Sequence, residues 1–371
     1  MRVLHVYKSY YPDTVGGIEQ VIAQLGTALA SLGDESRVFT LSPDPDPPVL
    51  VRSEGEVHRC RTTIEISSNP LSFGAFAEFR HQLDWADVVH YQFPWPFADL
   101  LHLTSRRRKP SVVSYQSDIV RQKFLLHAYA PLMNRFLRTV DAVVATSPQY
   151  RDSSPVLATL GREVRVIPNG IDEASYPAPG PERMQAWREM VGQDFFLFVG
   201  VLRYYKGLET LLRAAKGFGG QVVIAGTGPE ATHLQETAKL QGLTNVRFVG
   251  AISDDDKVCL LKLCRAFVFP SHLRAEAFGM SLLEAAMCAR PMVCCEIGTG
   301  TSYINVDGET GRTVTPEDPG ALRVAMQQLL DDPGQARTMG LAARARYEAM
   351  FTAGHMAKAY RGVYESVRGD A

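Results

Sequence analysis

The stretch Phe195-Phe196-Leu197-Phe198-Val199-Gly200-Val201-Leu202-Arg203-Tyr204-Tyr205-Lys206-Gly207-Leu208-Glu209-Thr210-Leu211-Leu212 sets the reading of the whole chain. Its first five residues are apolar without alternation, as a strand buried on both faces requires, and the run stops at Gly200. Leu208, Leu211 and Leu212 then return at helical spacing just beyond Gly207. Strand, short loop and helix in that order predict part of a parallel sheet, where ligands collect in the loops that follow the carboxyl ends of strands. Two cations, Arg203 and Lys206, stand in this loop. An Arg can bridge two phosphate oxygens and a Lys adds a compact charge, so the loop is a candidate diphosphate site, against the blander reading of a solvated charged turn.

The same alternation repeats on both sides. Downstream strand candidates are residues 222–225, 246–249, 266–269 and 291–294; upstream ones are 3–7, 37–41, 88–91, 111–115, 142–146 and 164–167, with helical stretches such as 18–32 and 124–140 between them. The segment Ser42-Pro43-Asp44-Pro45-Asp46-Pro47-Pro48 reads as a loop. Ile167-Pro168-Asn169-Gly170-Ile171-Asp172, followed by Tyr176-Pro177-Ala178-Pro179-Gly180-Pro181, is a turn and a Pro-rich connector suited to a domain boundary. The expected fold is α/β: two Rossmann-like doubly wound domains facing a central cleft, over 1–175 and 185–350, with a last helix in 351–371 packing back on the first.

A second candidate segment is Glu276-Ala277-Phe278-Gly279-Met280-Ser281-Leu282-Leu283-Glu284, after the strand 266–269. Gly279 lets a ligand approach the backbone, and the helix opening there presents free amides to an anion. Glu284, inside that helix, can accept from the two hydroxyls of a ribose, and Glu276, still in the loop, from hydroxyls of a sugar. The competing reading of Glu276 is a carboxylate offsetting the helix dipole.

These segments and the connector resemble the family 4 retaining glycosyltransferases, whose fold is GT-B. The resemblance spans nearly the whole chain, through Pro12-Asp13-Thr14-Val15-Gly16-Gly17-Ile18-Glu19, the hinge 167–172, Arg203 with Lys206-Gly207, and the pair Glu276/Glu284, eight residues apart. It implies that Gly16 and Gly17 line the cleft near the diphosphate, that Arg203 and Lys206 bind it, that Glu276 holds the transferred sugar and Glu284 the ribose. Phe278, Gly279 and Met280 would meet the donor at the helix start, and Gly226 would line the base region. It also implies transfer with retention of donor stereochemistry, no bound metal and no cofactor beyond the nucleotide-sugar substrate. Two features depart from the family. Where many relatives carry a histidine in the first domain, Ser114-Tyr115-Gln116-Ser117-Asp118 has Gln116, which hydrogen-bonds but does not exchange protons near neutral pH, and leaves the departing phosphate as proton acceptor. Arg203 and Lys206 are also only three residues apart, closer than the family spaces its cations.

Tyr7-Lys8-Ser9-Tyr10-Tyr11-Pro12-Asp13, Tyr91-Gln92-Phe93-Pro94-Trp95-Pro96-Phe97-Ala98-Asp99, residues 198–207 and Cys295-Glu296-Ile297-Gly298-Thr299-Gly300-Thr301 resemble bacterial O-antigen mannosyltransferases of lipopolysaccharide synthesis. That likeness implies GDP-mannose as donor and a polyprenyl-diphosphate-linked, GlcNAc-terminated acceptor extended by an α-1,3 linkage. GDP-D-rhamnose or a UDP-sugar is the alternative donor. Gln116 and Asp118 fall on the acceptor and sugar side.

With 371 residues, 46% apolar, and a formal net charge of −1, the chain has ample core and no basic field to hold a long nucleic acid. Met1 leads straight into a strand-like run, and no apolar stretch reaches the roughly 18–20 residues that span a bilayer, so the expected location is cytoplasmic. The run Arg106-Arg107-Arg108-Lys109, helped by Arg121 and Lys123, is a candidate contact with an anionic membrane, although such runs are more often solvated faces. The six cysteines contain no Cys-x-x-Cys pair and read as buried free thiols. Asp254-Asp255-Asp256 follows Ser253 and precedes an amphipathic run, so it reads as a helix cap rather than a metal site. Gly226-Thr227-Gly228-Pro229-Glu230-Ala231 fits a dinucleotide fingerprint, but no acidic residue ends a strand about 20 residues later, which argues against an NAD-dependent dehydrogenase. The scattered histidines and the lack of G-x-S-x-G give a hydrolase no support. A non-catalytic sugar-nucleotide-binding module stays open because of Gln116.

Overall fold

Long apolar runs become inner strands because parallel sheets bury both faces, and the polar edges are added around them. A computed structural model describes every residue except 67–68, 120–122 and 370–371, and every described side chain except those of 123–126. The chain divides into two units, Met1–Ile171 with Ala353–Ala371, and Asp172–Thr352.

In the first unit the chain forms β1 (Arg2–Val6), β2 (Glu35–Ser42), β3 (Val49–Arg52), β4 (Gly55–Arg61), the short β5 (Ile64–Ile66) and β6 (Asn69–Leu71), then β7 (Val88–Phe93), β8 (Ser111–Tyr115), β9 (Ala142–Ala145) and β10 (Val164–Val166). Eight of these make one sheet in the order β10-β9-β8-β7-β1-β2-β4-β3, while β5 and β6 pair only with each other. All neighbours in the large sheet run parallel except β3 and β4. The sequence reading missed β3 and β4, whose Arg52, Glu56, Arg59 and Arg61 hide the strand pattern at a sheet edge. The C-terminal helix Ala353–Arg368 lies against the helix Gly17–Ala30 and against β8. Tyr360 and Tyr364 of that helix are buried, and Arg361 Nη1 donates to Leu32 O at 2.9 Å.

The second unit carries β11 (Phe196–Val199), β12 (Val222–Ala225), β13 (Val246–Gly250), β14 (Ala266–Phe269), β15 (Met292–Cys295) and β16 (Gly311–Val314), all parallel, in the order β13-β12-β11-β14-β15-β16. The edge strand β16, with only Val314 as a strong apolar residue, was also missed. Phe196, Leu197, Phe198, Phe267, Val268 and Phe269 are fully buried, and a side chain of that size stabilises by about 1.5–3 kcal/mol when taken out of water. All six cysteines are free; Cys259, Cys264, Cys294 and Cys295 are buried, and burial pushes the Cys294 thiol up to about 11. Among the described residues no helix is long and apolar enough to cross a membrane.

Candidate functional site

The strand order puts β11 beside both β12 and β14, so the loops leaving β11 and β14 flank the point where the winding reverses. Gly207 joins those loops. Its φ is +69°, and a Cβ on it would stand 1.9 Å from Pro270 O, so the approach demands glycine. His272 N donates to Tyr205 O at 3.0 Å across the same contact. The outcome is that Lys206 Nζ meets Glu276 Oε2 at 2.5 Å, with each side chain 12% exposed. The ammonium also sits 4.6 Å from the centroid of the Phe269 ring, and Ser271 Oγ donates to the same carboxylate oxygen at 3.4 Å. Arg203 is exposed, with no ion-pair partner among the described residues.

Glu284 lies in the helix Met280–Met287 and is buried. Its Oε1 accepts from Tyr176 Oη at 2.9 Å and from Lys257 Nζ at 2.7 Å. Lys257 pairs with Asp254 as well, at 2.9 Å. Burial opposes the Lys257 charge, yet Glu284 and Asp254 outweigh it and hold the ammonium pKa above its usual value. Gly279 caps this helix with a φ of +97°, and Met280 is its first residue. The Phe278 ring is buried and lies 6.3 Å from the Phe351 ring, which leaves only its backbone to meet a ligand. Gly226 has a packing reason of its own: a Cβ there would stand 2.0 Å from Gly200 O, and Leu202 N donates to Thr227 O at 2.9 Å, so the loop after β12 lies directly on the loop after β11.

Asp254, Asp255 and Asp256 open the helix Asp254–Leu263, where Ser253 and Asp256 form a reciprocal capping box. Asp256 also accepts from Arg183 and Trp187 Nε1, and the Arg183 hydrogen bond leads the causes holding its carboxyl well below the ordinary range. Among the described residues no three His, Cys, Asp or Glu side chains are grouped to hold a metal.

In the first unit Gly16 precedes the helix Gly17–Ala30, and Glu19 folds back over it to accept from Thr14 Oγ1 at 2.7 Å and Ser9 Oγ at 3.1 Å. Glu19 thus ties the loop after β1 to that helix. Gln116, just past β8, is buried: its Nε2 donates to Gln92 Oε1 at 2.9 Å and its Oε1 accepts from Asn169 Nδ2 at 3.3 Å. Asp118 holds its own loop, accepting at Oδ1 from Tyr115 Oη at 2.9 Å and Ser154 Oγ at 2.8 Å.

Arg106, Arg107, Arg108 and Lys109 precede β8, at its amino end, whereas Gln116 and Asp118 follow its carboxyl end. Five strand residues separate the two rims, about 16 Å at the usual rise per residue. Arg107 pairs with Asp84, and Arg107, Arg108 and Lys109 join Arg135, His102 and Tyr91 around a cavity of about 60 Å³. Arg121, and the side chain of Lys123, lie outside the described residues.

Residues 15–175 match glycosyltransferase family 4 and residues 181–346 match the glycosyl transferases group 1. The chain is 53% identical to D-rhamnosyltransferase WbpZ of Pseudomonas aeruginosa over 95% of its own length and 93% of that protein. The chain belongs to glycosyltransferase family 4. This glycosyltransferase is also 47% identical to O-antigen chain mannosyltransferase C of Escherichia coli, over 99% of both chains. Its fold is GT-B: the sucrose-phosphate synthase of Thermosynechococcus elongatus superposes with a TM-score of 0.84 over 100% of both chains, at 22% identity.

Several residues that shape the candidate site were invisible to motif reading. Lys257 and Tyr176 reach Glu284 from 27 and 108 residues away, and no spacing rule links them. His272, which no motif nominated, has its Nδ1 buried beside Gly207 with no hydrogen-bond partner among the described residues. Gln92 stood just past the strand expected over 88–91 and Asn169 in the turn 167–172, and neither position suggests contact with Gln116.

Proposed function

We propose that this glycosyltransferase moves mannose from GDP-mannose to a polyprenyl-diphosphate-linked saccharide ending in GlcNAc, by an α-1,3 linkage, in O-antigen synthesis. The transfer retains the donor stereochemistry and uses no metal. The observation that carries the reading is the Lys206–Glu276 pair at the winding reversal of the second unit. Lys206 has three N–H groups and commits one to Glu276, so it can face a leaving diphosphate while keeping that partner. Arg203 adds an exposed charge, and the amides opening at Gly279 and Met280 add partial positive charge. Glu276 accepts from hydroxyls of the transferred sugar, and Glu284 from the ribose. As the bond to the sugar stretches, negative charge grows on the diphosphate where these groups are already oriented, and such preorganised charge is a large share of catalysis. The leaving phosphate then takes the acceptor proton on the same face, since Gln116 does not titrate.

The donor sugar follows the likeness to an O-antigen mannosyltransferase and to a D-rhamnosyltransferase. The stronger identity to the latter favours GDP-D-rhamnose as the second reading. The Arg106–Lys109 run serves as a contact with anionic membrane, on a rim separate from the Gln116 loop. A donor panel tests the reading: purified protein, a synthetic lipid-diphosphate-linked GlcNAc acceptor, and GDP-mannose, GDP-D-rhamnose, UDP-glucose or UDP-GlcNAc, each with EDTA, followed by mass spectrometry and linkage analysis. Transfer of one hexose from GDP-mannose is expected; transfer only from a UDP-sugar would discard the donor assignment, and loss of transfer with EDTA would discard metal independence.

A further inference from the structure

A chain of buried polar side chains runs through the first unit from the C-terminal helix to Gln116. Tyr364 Oη lies 2.8 Å from His90 Nδ1, and Tyr360 Oη lies 2.5 Å from Ser114 Oγ. Ser114 Oγ is 2.7 Å from His90 Nε2, and Gln92 Nε2 is 3.4 Å from that same ring nitrogen. Gln92 Oε1 accepts from Gln116 Nε2, and Gln116 Oε1 accepts from Asn169 Nδ2. All of these side chains are buried, so each donor needs an acceptor inside the protein.

The donor and acceptor roles along such a chain are not independent. Burial, with the neighbouring His5, drives the His90 pKa far down, so the ring is neutral and has one donor and one acceptor nitrogen. With the proton on Nδ1, Tyr364 Oη accepts, and Nε2 accepts from Ser114 and from Gln92. Gln92 must then turn its carbonyl toward Gln116, Gln116 its carbonyl toward Asn169, and every link has one donor and one acceptor. With the proton on Nε2 instead, Gln92, Gln116 and Asn169 would each have to flip, or two N–H groups would face each other. The chain ends at Gln116 and Asn169: among the described residues Gln116 keeps one N–H and one carbonyl lone pair to spare, while Asn169 Oδ1 is sealed from solvent and has no donor. A substrate hydroxyl both donates and accepts, which is what this end lacks.

We propose that His90 and Gln92 are positioning residues that set which edge of the Gln116 carboxamide faces the acceptor saccharide, so that the C-terminal helix, through Tyr360 and Tyr364, holds the orientation of an acceptor-side group. The proposal rests on the reading that Gln116 serves the acceptor side of the site. An amide has two chemically different ends, and the relay fixes which of them points to Gln92 and which to Asn169, and with that where the spare N–H and the spare lone pair of Gln116 lie.

The test is a double-mutant cycle with Gln92→Met, Gln116→Met and the double variant in the full chain. Each is measured for kcat and for donor and acceptor KM, with whichever nucleotide-sugar the panel shows to be used and the lipid-diphosphate-linked GlcNAc acceptor, alongside Tm. Each single variant is expected to lower kcat/KM for the acceptor about 10–100-fold with donor KM unchanged, and the double variant to fall no further than Gln116→Met. Losses that multiply in the double variant, or a Gln92→Met loss that tracks Tm and raises donor and acceptor KM alike, would overturn the positioning role while leaving Gln116 in the site. Wild-type kinetics in Gln116→Met would overturn the acceptor-side reading of Gln116, and the relay with it. If Gln92→Met does not fold, Gln92→Asn, which keeps the amide but withdraws it by one methylene, is read by the same cycle.

Discussion

Lys206 Nζ and Glu276 Oε2 meet at 2.5 Å although 70 residues separate them, because Gly207 lets the backbone after β11 touch the carbonyl of Pro270 after β14. A cation and a carboxylate held together at the carboxyl ends of two adjacent strands form a site that is charged but internally balanced before a donor arrives.

On the proposed reading, Lys206 is the charge that faces the leaving diphosphate. Lys206→Ala is expected to lower kcat/KM by on the order of 10²–10³-fold, the size of losing one preorganised charge contact. Steady-state kinetics with GDP-mannose check this, and near-wild-type turnover would remove Lys206 from the site.

Gly207→Ala tests the loop contact itself. A left-handed φ costs a non-glycine residue about 1–3 kcal/mol, and the overlap of its Cβ with Pro270 O adds to that. A lowered denaturant midpoint together with loss of transfer is expected; a stable, active variant would show that the two loops can part without consequence.

Lys257→Met strands the buried Glu284 carboxylate, and removing one partner of a buried pair costs about 3–5 kcal/mol. Adding Glu284→Gln to Lys257→Met should recover most of that stability, since the remaining group is neutral; on the proposed ribose role of Glu284, donor KM stays high. Denaturation and donor titration of the three variants separate the two effects. Donor KM near the wild-type value in the double variant would count against a ribose role for Glu284.

Acid should weaken the fold before carboxylates protonate. Burial lowers the His5 and His102 pKa values to about 4, against about 6.5 in an unfolded chain. Between those values the unfolded chain binds more protons, so stability falls as pH drops from about 6.5 and levels off near 4, with about 3 kcal/mol attributable to His5 alone. His90 acts in the same direction. Urea denaturation between pH 7 and 4 checks the slope, and His5→Phe, which removes one proton site, should make it shallower while His90 and His102 keep the rest.

The basic run and the Gln116 loop lie at opposite ends of β8, so the proposed membrane contact can be tested apart from the proposed acceptor side. Arg106→Glu combined with Arg108→Glu should abolish flotation with anionic vesicles at low salt and leave kcat on a short-chain, water-soluble acceptor within about twofold, since exposed charges act mainly through screened, long-range attraction. Flotation equal to the wild type would show that this run does not hold the membrane.

The parallel α/β architecture was legible in the sequence because burial on both faces leaves uninterrupted apolar runs: 222–225 and 266–269 are the strands β12 and β14 as read. The helix cap at Ser253 was legible for a related reason, since capping joins residues three apart in the chain. The edge strands β3 and β16, and β4 next to the edge, were not, because the margin of a sheet tolerates the polar residues that hide the period. Residues close in the chain, such as Arg203 with Lys206 in one loop and Glu276 with Glu284 on a loop and the helix that follows it, could be nominated from spacing and resemblance. What only the tertiary structure decided is which of them touch. Lys206 meets Glu276 through Gly207, Glu284 is held by Tyr176 and Lys257, and Gln116 takes its orientation from Gln92 and Asn169. Contacts of this kind come from strand order and close backbone approach, which bring together residues that no local period relates.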